Sequence, residues 1–205
     1  MKNGPFVLFV LAITFIYFIL TGIQFWVTDY LITTLDMDEG SVHIAFGLIS
    51  ITGPIFGVII GGNVTSYLGG FREKWALITT LLMSVLCLLT SAPAPFTTNS
   101  TAFLTLLWFL LFFGGYMMPS LSGMMLETIP VDLKTTGNSI ANISYNLLGF
   151  LPAPGVYGFV YDYGLGGNAT EAMATLMFTP IISMVCIAIA AILIFKNDTF
   201  GYKSK

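Results

Sequence analysis

The stretch GPFVLFVLAITFIYFILTGIQFWVT (4–28) runs for 25 residues without an Asp, Glu, Lys or Arg. As an α-helix it would be about 37 Å long, more than the ~30 Å of hydrocarbon in a bilayer. It is too long for the roughly 7–15-residue apolar core of a secretory signal, and no small-residue cleavage site precedes its polar break. It therefore reads as a retained membrane span. The rest of the chain has the same character: of 205 residues, 56% are hydrophobic and only 8% charged, with mean hydropathy +0.90. A soluble domain needs charge over most of its surface, whereas a bilayer needs segments whose backbone polar groups are satisfied internally.

Charged clusters and Gly, Pro or Asn residues cut the chain into six such runs. The expected fold is an all-α membrane protein, a single transmembrane domain over 1–205 with spans at about 5–30, 42–68, 75–91, 102–127, 135–161 and 172–195. The connections are DMDEG (36–40), GGFREK (69–74), PAPFTTNS (93–100), PVDLK (130–134) and YDYGLGGNATE (161–171). With six spans, all seven basic residues (Lys2, Arg72, Lys74, Lys134, Lys196, Lys203 and Lys205) fall on one side, and the opposite loops carry Asp36, Asp38, Glu39, Asp162 and Glu171 with no lysine or arginine. Short cytoplasmic loops retain Lys and Arg during insertion, so both termini are expected in the cytoplasm. Two glycosylation triplets, at Asn99 and Asn168, fall on the outer side. Cys87 and Cys186 lie within apolar runs without CxxC spacing and read as buried structural thiols.

Within the fifth span, GNSIANISYNLLGFLPAP (137–154) sets Asn138, Asn142 and Asn146 four residues apart. A step of four drifts only about 40° around a helix, so the three share one stripe. Unpaired in lipid each carboxamide is costly, so the stripe is expected to face protein or water. It is either a set of interhelical hydrogen bonds or the polar wall of a substrate cavity, with Asn138 on the structural side. Pro152 and Pro154 remove backbone donors just beyond it, which predicts a kink or break. The cavity residues expected on these grounds are Gln24, Asn142, Tyr145 and Asn146, with Tyr17 beside them. Trp26 and Tyr30 read either as interfacial belt residues or as ligand-facing ones. Asp29, near the outer end of the first span, is either solvated or placed to read a proton or cation; His43 is a solvated cap or a proton relay.

On the basic side, GGNVTSYLGGFREK (61–74) joins spans two and three, and ETIPVDLKTTG (127–137) joins spans four and five. Glu127 ends the fourth span where Arg72 or Lys74 can meet it, with Lys134 close in sequence, a candidate latch of opposite charges. These loops resemble those of the major facilitator superfamily. Gly62 and Gly69 match its G-x-x-x-D-[RK]-x-G loop, with Arg72 and Lys74 as the trailing basic residues and Ser66 and Tyr67 in place of the acid and base. Glu127, Pro130, Lys134 and Gly137 fit an E-x-x-P-x-x-x-[RK]-x-x-G pattern, and NLLG-x-x-PAP-x-x-YG (146–158) is similar to the eleventh span of spinster-like and organic-anion-transporter-like members. The resemblance implies a bundle equivalent to helices 7–12 of such a transporter. It also implies a second six-helix half as partner, in the same chain or another, and an organic-anion or amphipathic solute moved by alternating access.

Other classes lack their residues. An intramembrane serine protease would need a histidine on a span after Ser122, and none follows His43. There is no HExxH, Walker or NPA sequence, no metal-ligand spacing, no basic patch for nucleic acid and no cofactor motif. Two function classes stay open: a transporter half that moves a small solute across the lipid bilayer, and a non-transporting assembly subunit or half-length relic whose helices only pack with a partner.

Overall fold

The computed structural model describes residues 4–164, 168–197 and 200. Lys2, Lys203 and Lys205 of the expected charge asymmetry lie outside the described residues. The described chain is helical throughout, 86% helix with no strand. Its helices are α1 (Gly4–Thr33), α2 (Glu39–Tyr67), α3 (Lys74–Ser91), α4 (Ser100–Glu127), α5 (Lys134–Tyr145), α6 (Ala153–Tyr163), α7 (Ala169–Met177) and α8 (Pro180–Asn197).

Five helical segments are long and apolar enough to cross a membrane: Gly4–Thr33, Glu39–Tyr67, Lys74–Phe96, Ser100–Glu127 and Ala169–Asn197. The run expected at 135–161 differs, because it is not one helix. α5 passes into a π-turn, Asn146–Phe150, where Leu151 N–H reaches back five residues to Asn146 O at 3.0 Å. The chain then breaks ahead of α6. Neither Pro152 nor Pro154 can donate to the carbonyl four residues earlier, so two hydrogen bonds of the ladder are lost within one turn; single prolines, Pro54 and Pro119, are carried inside α2 and α4. A similar break at 178–179, before Pro180, parts α7 from α8 and was not anticipated.

α1 is the hub, packed against α8, α4, α5, α6 and the π-turn. Phe9, Ile13, Ile23, Val27 and Leu31 are buried along it, and Ser183 Oγ donates to Ala12 O at 3.0 Å across the α1–α8 contact. The most intimate contact lies between α2 and α4. Gly53, Gly57 and Gly61 recur every fourth residue and let the two backbones touch: a Cβ on Gly57 would come within 2.2 Å of Phe112 O, and one on Gly61 within 2.3 Å of Tyr116 O. Thr65 extends the stripe and hydrogen-bonds to Ser120 Oγ at 2.6 Å, while Trp108 Nε1 donates to Thr52 Oγ1 at 3.0 Å. Small residues at a spacing of four are how membrane helices gain contact where lipid gives no hydrophobic drive. The spacing is present in the sequence itself as G-x-x-x-G-x-x-x-G over 53–61, a signal that the apolar-run reading of the second span does not use. The outward side of α2 is a stripe of exposed Ile44, Leu48, Ile51, Ile55 and Ile59.

The bundle has two chemically distinct ends. Arg72, Lys74, Lys134, Lys196 and the start of α1 sit at one, with Glu73, Glu127 and Asp132. Asp29, Asp36, Asp38, Glu39, Asp162 and Glu171 sit at the other, where Tyr30 Oη donates to Pro95 O at 2.9 Å and joins the α3–α4 connection to α1. Tyr30 is thus a buried strut rather than a belt residue.

Candidate functional site

The three asparagines do share a line on α5 and its π-turn, but no neighbouring helix covers them, and all three are exposed. The amides turn back on their own backbone instead: Asn142 Nδ2 donates to Asn138 O at 2.9 Å, and Asn146 Nδ2 to Asn142 O at 2.8 Å. That occupies one of the two donors of each carboxamide. Interhelical hydrogen bonding within this bundle is therefore not what the line does. Tyr145 stands three residues after Asn142 and one before Asn146 on the same segment. Its ring stacks on Tyr17 of α1, with centroids 4.7 Å apart and planes 9° from parallel. Tyr17, Asn142, Tyr145 and Asn146 are thereby brought into one half-open polar patch.

Gln24 is exposed seven residues after Tyr17, on the same stripe of α1, yet it stands apart. The register of the two segments explains this. Gly137 packs beside Phe6, Gly149 against Thr14 O and Tyr17, and Pro154 against Trp26, so Gln24 lies level with the α6 side of the break, beyond the asparagines. The break itself is pinned to α1 at two points. A Cβ on Gly149 would fall 2.4 Å from Thr14 O, so the π-turn rests directly on the α1 backbone. Trp26 Nε1 donates to Pro154 O at 3.1 Å and its ring stacks on Tyr157 at 4.5 Å. Trp26 is a clasp holding the broken segment, a role neither of its two sequence readings contained.

At the basic end, Glu127 is gripped from two sides. Arg72 Nε meets Oε2 at 2.6 Å and Lys134 Nζ meets Oε1 at 2.5 Å. The carboxylate thus ties the α2–α3 connection and the start of α5 to the end of α4. Lys74 does not join it; its ammonium lies over the Trp75 ring, 5.6 Å from the centroid. The loop can approach because Gly69 and Gly70, with φ of +99° and +97°, turn the chain in the left-handed region that favours glycine. Phe71 then lies on Gly123, where a Cβ would be 2.3 Å from its ring. Phe71 is a docking residue that the charge pattern alone did not reveal. Arg72 is 66% exposed and Glu127 23%, so each pair is worth on the order of 1 kcal/mol. The clamp is a contact of modest strength.

The remaining candidates are dispersed. His43 approaches Glu39, one turn earlier on α2, at 3.8 Å, and not Asp29. Asp29 is exposed at the acidic end, with no basic group within salt-bridge distance among the described residues. Asn99 and Asn168 are helix N-caps: Asn99 Oδ1 accepts from Thr101 and Ala102 N–H, and Asn168 Oδ1 from Glu171 N–H. Cys87 and Cys186 are both free and buried. No family model matches the chain, and no curated protein matches it.

Proposed function

We propose that this chain is one six-helix half of a secondary transporter of the major facilitator type, equivalent to its C-terminal half and spinster-like in character. In this reading it moves a small organic or amphipathic solute by alternating access against a second six-helix bundle. The fifth of the six spans is the broken segment 134–163, crossing as two half-helices joined at the π-turn. Both termini lie on the cytoplasmic side with the basic loops.

The observation that carries the reading is the open polar patch of Tyr17, Asn142, Tyr145 and Asn146 on helices otherwise built for hydrocarbon. Carboxamides facing lipid cost several kcal/mol each when their hydrogen bonding is incomplete. The patch therefore calls for water or another protein body within the membrane, and a cavity between two bundles provides both. A broken helix beside it fits the same architecture, in which discontinuous helices line the midplane site. The Glu127 clamp would be the gate on the cytoplasmic side.

The second reading, a subunit whose helices only pack with a partner, is favoured by the close α2–α4 seam, which is built for rigidity. Cysteine accessibility separates the two. Asn142→Cys and Asn146→Cys, each in membrane vesicles, should react with a membrane-impermeant maleimide from one side, against a background in which buried Cys87 and Cys186 stay silent. A face permanently packed against protein leaves both unlabelled, and that result rejects transport.

A further inference from the structure

The outward face of α3 is an apolar stripe headed by a cation. Trp75, Ile78, Leu82, Val85 and Leu89 follow one another by three and four residues, which sets them on one side of the helix, and all five are exposed. The opposite side, with Leu77, Thr80, Ser84, Cys87 and Ser91, is buried, and α3 packs on α4 and α8. Large apolar residues outside and small ones inside are what a hydrocarbon surrounding calls for. The polar patch of Tyr17 and the asparagines stands on α1 and α5, so the two surfaces are separate. At the head of the stripe, Lys74 Nζ lies 5.6 Å from the centroid of the Trp75 ring. Lys74 is exposed, and no carboxylate among the described residues lies within salt-bridge distance of it. The ring contact leaves ammonium donors open. Of the acidic groups at this end, Glu127 is held by Arg72 and Lys134, and Asp132 belongs to the α4–α5 connection. The Glu73 stem folds back over Gly69, where it would stand 2.9 Å from a Cβ. Arg72 meets Glu127 through Nε alone, which leaves its Nη donors two residues before Lys74. Tyr67, which ends α2, and Trp75, which begins α3, are the exposed amphipathic rings of a membrane–water boundary.

We propose that Lys74, Trp75 and the outward stripe of α3 form a binding site for one anionic phospholipid. The lipid phosphate accepts hydrogen bonds from the Lys74 ammonium, with Arg72 as a second donor. The Trp75 ring stands at the level of the headgroup boundary. One acyl chain lies along Ile78, Leu82, Val85 and Leu89. From Trp75 to Leu89 the helix rises about 21 Å, more than the ~15 Å of hydrocarbon in one leaflet, so the stripe is long enough for a whole chain. Charge selects the lipid class: a zwitterionic headgroup brings an ammonium of its own to the same cation and is held less well. The stripe selects a lipid over a free anion, because an exposed ammonium alone holds an anion weakly in water. The site does not depend on the transport reading, since it requires only that α3 face a bilayer.

The test is native mass spectrometry of the full chain released from neutral detergent micelles, titrated with dioleoyl-phosphatidylglycerol or dioleoyl-phosphatidylcholine. A saturable adduct of one phosphatidylglycerol is expected, held several-fold more tightly than phosphatidylcholine. Lys74→Gln should weaken it about fivefold, the factor for one basic residue at an anionic surface, and Lys74→Arg should restore it. Lys196→Gln removes the same charge from the end of α8 and should leave the adduct unchanged. Glycerol 3-phosphate, the headgroup chemistry without chains, should not displace the lipid at tenfold excess. Circular dichroism checks that each variant keeps its helices; if Lys74→Gln fails to fold, the contrast between the two lipids and the glycerol 3-phosphate competition still decide. Equal adducts with both lipids, an adduct unmoved by Lys74→Gln, equal losses in Lys74→Gln and Lys196→Gln, displacement by glycerol 3-phosphate, or dimerisation of the chain that expels the lipid each overturns the proposal.

Discussion

Adding a single methyl at Gly57 should destabilise the bundle, although the same change in an ordinary helix interior stabilises it. Gly→Ala removes backbone freedom from the unfolded chain and gains about 1 kcal/mol on the helix propensity scale. At Gly57 the new Cβ would stand 2.2 Å from Phe112 O and 2.8 Å from Tyr116 N, where ordinary contact begins at 3.4 Å. Both obstructing atoms are backbone, so no rotamer change relieves them; α2 and α4 must separate by about 1 Å. Such overpacking costs roughly 1–3 kcal/mol. The separation also stretches the Thr65–Ser120 and Trp108–Thr52 hydrogen bonds that flank the seam, each worth about 0.6 kcal/mol in a membrane protein. The net expectation is a loss of about 1–3 kcal/mol. Gly62, on the same helix with nothing within 4 Å of its would-be Cβ, is the control, and Gly62→Ala should gain up to about 1 kcal/mol. Unfolding by dodecyl sulfate in mixed micelles, followed by circular dichroism and by the reactivity of buried Cys87, measures both. A Gly57→Ala chain as stable as Gly62→Ala would refute the claim that this seam is held by backbone contact.

Two further substitutions address the site. Glu127→Gln removes the charge that Arg72 and Lys134 share, so it should loosen the basic end by about 1 kcal/mol; the labelling rate of an Asn138→Cys probe by impermeant maleimide should rise a few-fold, and an unchanged rate argues against a latch. Trp26→Phe keeps an aromatic ring to stack on Tyr157 but loses the hydrogen bond to Pro154 O. It should lower stability by about 1 kcal/mol and increase proteolysis near the break at 151–152. Equal melting and equal protection would show that the clasp carries no weight.

How far the fold could be read from the sequence depended on whether the controlling signal was local. The ends of α1, α2, α3 and α4 fall within three residues of the expected spans, because each is set by where charge, Gly or Asn interrupts an apolar run. The site was legible in part. Spacing alone put the asparagines on one line, and opposite charge offered Arg72 or Lys74 to Glu127, of which Arg72 is the one that meets it. Which competitor took the second oxygen, Lys74 or Lys134, was a matter of reach across a turn that no spacing rule supplies.

The break in the fifth run shows where such reading stops, and why. Two prolines guarantee that hydrogen bonds are lost, but not how the chain absorbs the loss. Here the accommodation is set from outside the segment: Gly149 has no Cβ and lets the π-turn settle on Thr14 O, while Trp26, more than a hundred residues earlier, takes Pro154 O as its acceptor. The carbonyls that lose their donors to Pro152 and Pro154 are those of Leu148 and Phe150, four residues earlier. Pro154 itself lies inside α6, so the Trp26 indole does not replace a lost donor; it fastens the start of α6 to α1. The asparagine line stands just before this pinned discontinuity, so any swing of α5 about the π-turn would carry Asn142 and Asn146 while Trp26 holds α6 to α1.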